Sequence, residues 1–373
     1  MITGTGTAKI RKTIQLVVLA LLLELAATLK AQTLYVTIYG SETIGEYTAS
    51  GQTVNASLIA VSGRPEGIAI SGNDLFVSIP GSLAGTGIIG EYTLSGAAVN
   101  ASLITGLYHP QGIAISGNDL FVANENNTIG EYTTSGATVN ASLITSGLEE
   151  PNGIAISGND LYVANNGNSA AHPAQPGYVG EYTTSGATIN ASLITGVSYL
   201  PEDIAISGND LFVANAHSPG AVGEYTTSGQ AVNASLISSG LNVPFGIAIS
   251  GNDMFIANYG NGTLSPGSIG EYTTSGATVN AMLITGLIGP TAIAIGPPLP
   301  VAPVLSWPGF SNGEFQMTVT GSSNQTYTVQ MTTNPISTNW ASLLITNPPS
   351  GSFLFTDPNA TNQQQFYRAE IVQ

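Results

Sequence analysis

The chain has 373 residues and carries 22 acidic residues against six Lys and Arg, a formal net charge of −16. Its length gives room for one large and one small domain. So acidic a surface repels phosphate backbones and anionic lipid, which argues against nucleic acid and charged membrane as partners and favours cations, neutral glycans or a basic protein surface.

Four of the six bases (Lys9, Arg11, Lys12, Lys30) fall in the first thirty residues. Three of them precede an apolar run over 14–29, and the small residue Ala31 follows just before Gln32. This is the three-part pattern of a secretory signal over 1–31. The run is short for a bilayer span and is interrupted by Glu24, so cleavage is expected over retention as an anchor. No later segment is apolar enough to cross a membrane, so the mature chain is expected to be exported without a span. There is no cysteine, so no disulfide helps to hold the exported fold.

From residue 33 the chain repeats. Gly-Glu-Tyr occurs six times, with its Tyr at 47, 92, 132, 182, 225 and 272. Ile-Ala-Ile also occurs six times, beginning at Ile68, Ile113, Ile154, Ile204, Ile247 and Ile293, and Ser-Gly-Asn-Asp follows the first five. Each unit holds four short β-type runs. Strand a is Gly-Ile-Ala-Ile-Ser, b is Leu-Phe-Val-Ala-Asn, c is Ile-Gly-Glu-Tyr-Thr and d is Thr-Val-Asn-Ala-Ser-Leu-Ile. Strand b is apolar on both faces, as a strand between two neighbouring sheets must be. Gly-Asn and Ser-Gly supply the tight a–b and c–d turns.

Four antiparallel strands repeated six times is the pattern of an all-β, six-bladed β-propeller over 33–296. The series opens on a strand b (Leu34-Tyr35-Val36) and ends on a strand a (292–295). The last strand is therefore expected to complete the first blade and close the ring, leaving no free edge there.

Pro-x-Gly-Ile-Ala-Ile followed by Asn-Asp-Leu-Phe-Val-Ala-Asn resembles the NHL repeat and the related blades of SMP-30/gluconolactonase-like and virginiamycin-B-lyase-like propellers. The resemblance implies the fold. It leaves activity open, because that group includes binding platforms, lactonases and lyases.

Differences among the copies are confined to one side. The a–b and c–d turns never change length. The b–c loops are long at 79–88, 165–178 and 259–268, and the d–a loops vary in composition. In an up-and-down blade both variable sets lie on one face of the disc. That face also carries His109, His172, His217, Arg64, Tyr108, Glu149, Glu150, Tyr199 and Phe245. Variable loops on a rigid scaffold make the usual binding surface; unconstrained drift of loop sequences is the alternative.

The residue between Pro and Gly at the start of strand a is expected to face the channel mouth. Around the ring it is Glu66, Gln111, Asn152, Glu202, Phe245 and Thr291, with Asp203 in place of Gly in the fifth blade. Glu66 and Glu202 stand three blades apart. With Asn152 they could hold Ca²⁺ or another divalent cation through oxygen ligands, or they could simply hydrate an open channel. The resemblance points to the same place, since Pro151-Asn152-Gly153-Ile154-Ala155 and Glu66-Gly67 are similar to ligand-bearing motifs of SMP-30-like lactonases. Phe245 stands where that pattern implies a further acid. The three histidines lack an acidic sequence neighbour, so ordinary loop residues are favoured over a lyase centre. The six Gly-Glu-Tyr glutamates are expected to be solvated, and Asn-Ala-Ser at Asn55, Asn100, Asn140, Asn190 and Asn233 recurs because the repeat recurs.

Gly296-Pro297-Pro298-Leu299-Pro300-Val301-Ala302-Pro303 reads as a semi-rigid spacer over 297–303. Residues 304–373 alternate in short strands at 315–320, 327–331, 352–356 and 365–371, a small β-sandwich pattern with Trp307, Trp340 and Phe366 as expected core. The order Gly321, Tyr327-Thr-Val-Gln, Trp340, Phe355-Thr-Asp, Phe366-Tyr-Arg resembles an Ig/fibronectin-like tail domain of exported bacterial proteins.

Taken together, these features favour an exported, non-enzymatic propeller that binds a glycan, protein or small ligand on its b–c/d–a face at Glu66, Gln111, Asn152, Glu202, Asp203, Phe245, Tyr108 and His109. The alternatives are a metal-dependent hydrolase, lactonase or lyase at the channel mouth, and a structural surface or matrix protein.

Overall fold

The structure, a computed structural model, describes residues 32–372 except 168–175, 198–199, 217–219, 262–265, 299–302, 312–313, 324, 334–335, 337–338 and 361–364. The expected signal segment and the residues His172, Tyr199 and His217 lie outside the described residues.

The chain is all-β, and the repeats form six four-stranded antiparallel sheets, each in the order a-b-c-d. The third blade is representative, with a at Pro110–Ser116, b at Asp119–Asn124, c at Thr128–Thr133 and d at Thr138–Ile144. The a strands pack side by side in a closed cycle around the axis, so the arrangement is a six-bladed β-propeller. Closure is as expected: Pro290–Pro298 pairs antiparallel with Gln32–Ile38 and becomes strand a of the first blade. That strand runs through Pro297 and Pro298, so the spacer begins later than the sequence suggests. Strand a is the inner edge of its sheet, paired on one side only, and Pro297 falls in the register shift between Gly296 and Pro298, so the ladder accommodates it.

The apolar strand b explains the radial packing. In the fourth blade (b, Asp160–Asn165) Leu161 and Val163 face the third blade and meet Phe121, Ala123 and Ile129. Tyr162 and Ala164 face the fifth and meet Leu211, Val213 and Tyr225. The same exchange joins the sixth blade to the first, through Phe255, Ala257, Leu34, Val36 and Tyr47. Stability is therefore distributed over apolar clusters between consecutive blades, consistent with a fold that lacks disulfides.

The repeated glycines have steric causes. In Gly-Glu-Tyr the Tyr ring folds back over the Gly, so a Cβ on Gly130 would stand 2.8 Å from the Tyr132 ring, and the other five copies are alike. The turn glycine of Ser-Gly has positive φ and lies on the strand-d Leu of the preceding blade: Gly136 on Leu103, and Gly51 on Leu283 across the closure.

One expectation is corrected here. The Gly-Glu-Tyr glutamates are not uniformly solvated: Glu46 is 8% exposed and Glu271 5%, and the other four are half-buried. Strand d covers strand c from outside, so c is an interior strand of each blade.

The chain divides into two compact units between Pro298 and Leu299. The second holds two three-stranded sheets. One is Val304–Ser311, Glu314–Thr320 and Ser352–Asp357; the other is Tyr327–Thr332, Ala341–Thr346 and Phe366–Ile371. Two of these strands, 304–311 and 341–346, went unrecognised in the sequence. Met317, Val319, Val329 and Phe355 form its buried cluster. Trp340 and Phe366 are only half-buried, and Trp340 lies under Arg368 with the guanidinium carbon 4.5 Å from the ring centre. The Trp307 side chain lies outside the described residues.

Candidate functional site

Strand a begins at its Pro, three residues before Ile-Ala-Ile, in the third to sixth blades. In the third, fourth and sixth of these the x and Gly residues form a bulge: Pro110 pairs with Asn124, and the ladder resumes only at Ile113 and Val122. A bulge re-aims the side chain it carries. Here it sends x into the channel. The Gly is obligatory because the inner strands converge: a Cβ on Gly112 would lie 2.4 Å from the Asn152 carbonyl oxygen of the next blade.

Glu66, Gln111, Asn152, Glu202, Phe245 and Thr291 consequently line one cavity of about 150 Å³ at the channel mouth, as expected from their place in the repeat. Asp203 lies there too. Tyr108 and His109 sit further out on the rim, where Tyr108 lines one adjoining recess with Glu150 and His109 another with Arg64.

A second ring was not recognised in the sequence. The first residue after strand b also borders the mouth, and it contributes Tyr39, Glu125, Asn166 and Tyr259. The signal was available: in the aligned copies this position reads Tyr39, Pro80, Glu125, Asn166, Ala216 and Tyr259, varying as strongly as x does.

The two rings interlock. Gln111 Nε2 donates to Glu125 Oε1 at 2.9 Å. Asn152 Nδ2 donates to Glu202 Oε2, and Asn166 Nδ2 reaches the same oxygen at 3.5 Å. Phe245 stacks on Tyr259, ring centres 4.8 Å apart, and Tyr259 meets Tyr39 edge-on at 6.0 Å. Arg64 lies over Tyr39, 4.8 Å from the ring centre, and donates to its hydroxyl at 2.9 Å. The mouth is thus acidic and amide-lined on one side and aromatic on the other.

Asp203 plays a different part from its neighbours. Its Oδ1 accepts the Ile204 N–H at 2.9 Å and its Oδ2 accepts the Ile247 N–H of the sixth blade at 3.0 Å. Both oxygens are taken by backbone, so Asp203 staples two blades where a Gly would leave a gap. Asp203→Ala should lower stability by about 1–3 kcal/mol, because it strips a charged acceptor from two N–H groups; urea unfolding would measure it. An unchanged midpoint would remove the staple.

Burial raises the carboxyls. Burial, then the facing Glu202 and then Glu125 push Glu66 up to about 8, against the pull of Arg64. Burial pushes Glu202 up to about 7, with Asp203 and Glu150 adding and the Asn166 hydrogen bond opposing. Burial likewise pushes Asp203 up to about 7, opposed by its two backbone donors. Between the ordinary carboxylate range and these values, the folded protein holds more protons than the unfolded chain. These groups' contribution is therefore fullest at acid pH and is lost as pH rises through 7 to 8. Melting temperature should fall between about pH 5.5 and about pH 8.5, and less so in Glu202→Gln. A wild-type melting curve independent of pH across that window would contradict this electrostatic reading.

The three residues expected to hold a divalent cation, Glu66, Asn152 and Glu202, all line this one cavity. Asn152 presents its amide nitrogen to Glu202, Asp203 is taken by backbone, and Phe245 occupies a further position. Among the described residues no group of three His, Cys, Asp or Glu is placed to hold a metal. Of the three histidines only His109 is described, with Nδ1 3.8 Å from Glu125 Oε2 on the rim.

Fold and site together define a closed six-bladed propeller with a narrow, acidic, aromatic-rimmed mouth on its variable face. No protein-family model matches the chain, and no curated protein matches it. Among solved structures it is similar to the computationally designed Ika8 protein (14% identity, TM-score 0.40, 76% of each chain covered). It is also similar to the WD40 β-propeller domain of Doa1 (10% identity, TM-score 0.44, 72% of this chain and 86% of that one). These likenesses are distant. The propeller assignment rests on the sheet order and the closed cycle of inner strands.

Proposed function

We propose that this is an exported, non-catalytic propeller that holds a ligand over its channel mouth on the b–c/d–a face. The observation that carries the reading is convergence. Two rings of side chains, each at a fixed place in a near-identical repeat, vary from copy to copy; the first lines one cavity and the second borders it, joined to the first by hydrogen bonds and ring stacking. A pre-formed concavity with a few convergent polar groups and an aromatic wall is the usual form of a small-ligand site. The kinship with NHL and SMP-30-like propellers, the sandwich character of the Ig/fibronectin-like tail and the extracellular location belong to the same proposal. They rest on sequence pattern alone. The second reading is a metal-dependent hydrolase or lyase at the same mouth, supported by the place of Glu66, Asn152 and Glu202 on one cavity.

The test is a thermal-shift panel of soluble oligosaccharides, amines and short peptides against the wild type and two variants. Gln111→Ala/Phe245→Ala alters the mouth. Thr134→Ala/Ser135→Ala alters a c–d turn on the opposite face. Any stabilising compound should lose its shift in the first variant and keep it in the second. The reverse pattern would place binding elsewhere.

A further inference from the structure

The channel mouth supplies hydrogen-bond acceptors and almost no side-chain donors. Its two amide N–H₂ groups are directed at protein carboxylates, Gln111 to Glu125 and Asn152 to Glu202. The Thr291 hydroxyl donates to the Pro65 carbonyl at 3.0 Å and meets the Thr37 hydroxyl at 2.9 Å. What faces the cavity unpaired is different in kind. Glu202 is 7% exposed, yet both of its amide donors reach Oε2, and no donor among the described residues reaches Oε1. The Glu66 carboxyl likewise receives no hydrogen bond from a described residue, and no Lys, Arg or His lines the cavity. A carboxylate oxygen that lines a cavity with no protein donor takes its hydrogen bonds from whatever fills the cavity, water or a ligand.

The opposite wall is aromatic. Phe245, stacked on Tyr259, stands at the same mouth, and Tyr39 meets Tyr259 edge-on. Arg64, the cation nearest this wall, is engaged with Tyr39. Carboxylates without a counter-ion opposite a π-face form a receptor for an organic cation: N–H donors satisfy the acceptors while the cation or its apolar body lies on the ring. A cavity of about 150 Å³ admits a single small head group.

We propose that the ligand held at the mouth is an organic cation whose ammonium or guanidinium head enters between Glu66 and Glu202 and whose apolar portion lies against Phe245 and Tyr259. This rests on the reading that the mouth is a binding site, and it names the chemical class bound there. Where the two carboxyls are ionised they repel anionic ligands. Neutral polyols lack the charge that makes two facing carboxylates an advantage.

Protonation bears on binding with the opposite sign to stability. Glu66 faces Glu202, Glu125, Arg64 and Tyr259; Glu202 faces Asn152, Asn166, Asp203 and Glu150; His109 lies beyond Glu125. A cation requires the ionised carboxylates, so affinity rises with pH where stability falls.

Calorimetric titration with benzylammonium, on the intact chain at low salt and about pH 8.5, tests this, with tetramethylammonium, benzyl alcohol and Ca²⁺ as comparisons. Benzylammonium should bind, and tetramethylammonium, which has no N–H, should bind at least about tenfold more weakly. Benzyl alcohol should give no measurable heat. Glu66→Gln and Glu202→Gln should each weaken benzylammonium at least about tenfold, and Phe245→Ala several-fold. Should a Gln variant fold poorly, wild-type affinity must still fall about tenfold on lowering the pH to about 5.5. Equal binding of benzyl alcohol, affinity unmoved by pH, or binding of Ca²⁺ alone would overturn the proposal. If neutral compounds bind and are lost in Phe245→Ala, the cation assignment fails while the mouth remains the site. If nothing in the broader panel depends on the mouth, the site reading itself fails.

Discussion

A chain ending at Gly289 should fail to reach the native fold, whereas one ending at Pro298 should melt with the cooperativity of the intact propeller. The nine residues between, Pro290–Pro298, supply the inner strand of the first blade. Ile293 packs in the cluster between the sixth and first blades, and Ala294 packs in the cluster between the first and second. The Ala292 N–H donates to the Thr37 hydroxyl at 2.8 Å, joining the two ends of the propeller chain. Removing the strand opens both clusters and bares the edge of strand b, which no other segment can pair. Clusters of this kind contribute about 1.5–3 kcal/mol per large buried side chain, and a domain's whole stability is about 5–15 kcal/mol. The expected result is loss of the cooperative transition, with aggregation through the exposed edge. Circular dichroism melts of the two truncations decide it. A cooperative transition in the shorter chain would show that the ring does not need its closing strand.

Gly112→Ala should destabilise by about 1–3 kcal/mol, at the upper end of that range because the obstacle is backbone. The new methyl would lie 2.4 Å from the Asn152 carbonyl oxygen and 3.1 Å from the Gly153 Cα, neither of which can rotate away. The inner strands of the third and fourth blades would have to part. Asn152 would then shift relative to Glu202, so the same change should weaken any ligand at the mouth. Gly117→Ala is the control. Its φ of 62° strains an alanine, but no atom stands within 4 Å of the new Cβ, so the cost is about 1 kcal/mol and the mouth is untouched. Equal urea midpoints for the two variants would mean that the inner strands are not packed to contact.

The ring, its strand order and its closure were legible because the repeat repeats its chemistry. Leu-Phe-Val-Ala is apolar on both faces, Gly-Asn and Ser-Gly mark the tight turns, and the series opens on a b strand and ends on an a strand. The x positions were legible for the same reason: one variable residue at an invariant place must share one environment. Three features were less visible. The bulge that turns x inward depends on how Pro110 and Ile113 pair with strand b, which is a matter of register. Asp203 reads as one more acid until its two backbone donors, one from the next blade, are placed around it. Tyr39 and Tyr259 are far apart in sequence and adjacent only once the ring has closed. In the second unit no repeat averages out local ambiguity, and two edge strands with few β-branched alternations, 304–311 and 341–346, escaped notice.

The most direct measurement uses the isoleucines that open Ile-Ala-Ile. Ile68, Ile113, Ile154, Ile204, Ile247 and Ile293 all line the cavity while packing in the clusters between blades, so their methyl resonances report on the mouth from just behind it. In a methyl-labelled sample titrated with benzylammonium, these six resonances should move together and saturably, while those of Ile144, Ile194 and Ile237, at the outer ends of the d strands, stay in place. Movement confined to the outer isoleucines, or no movement in any of the six at saturating ligand, would contradict the account.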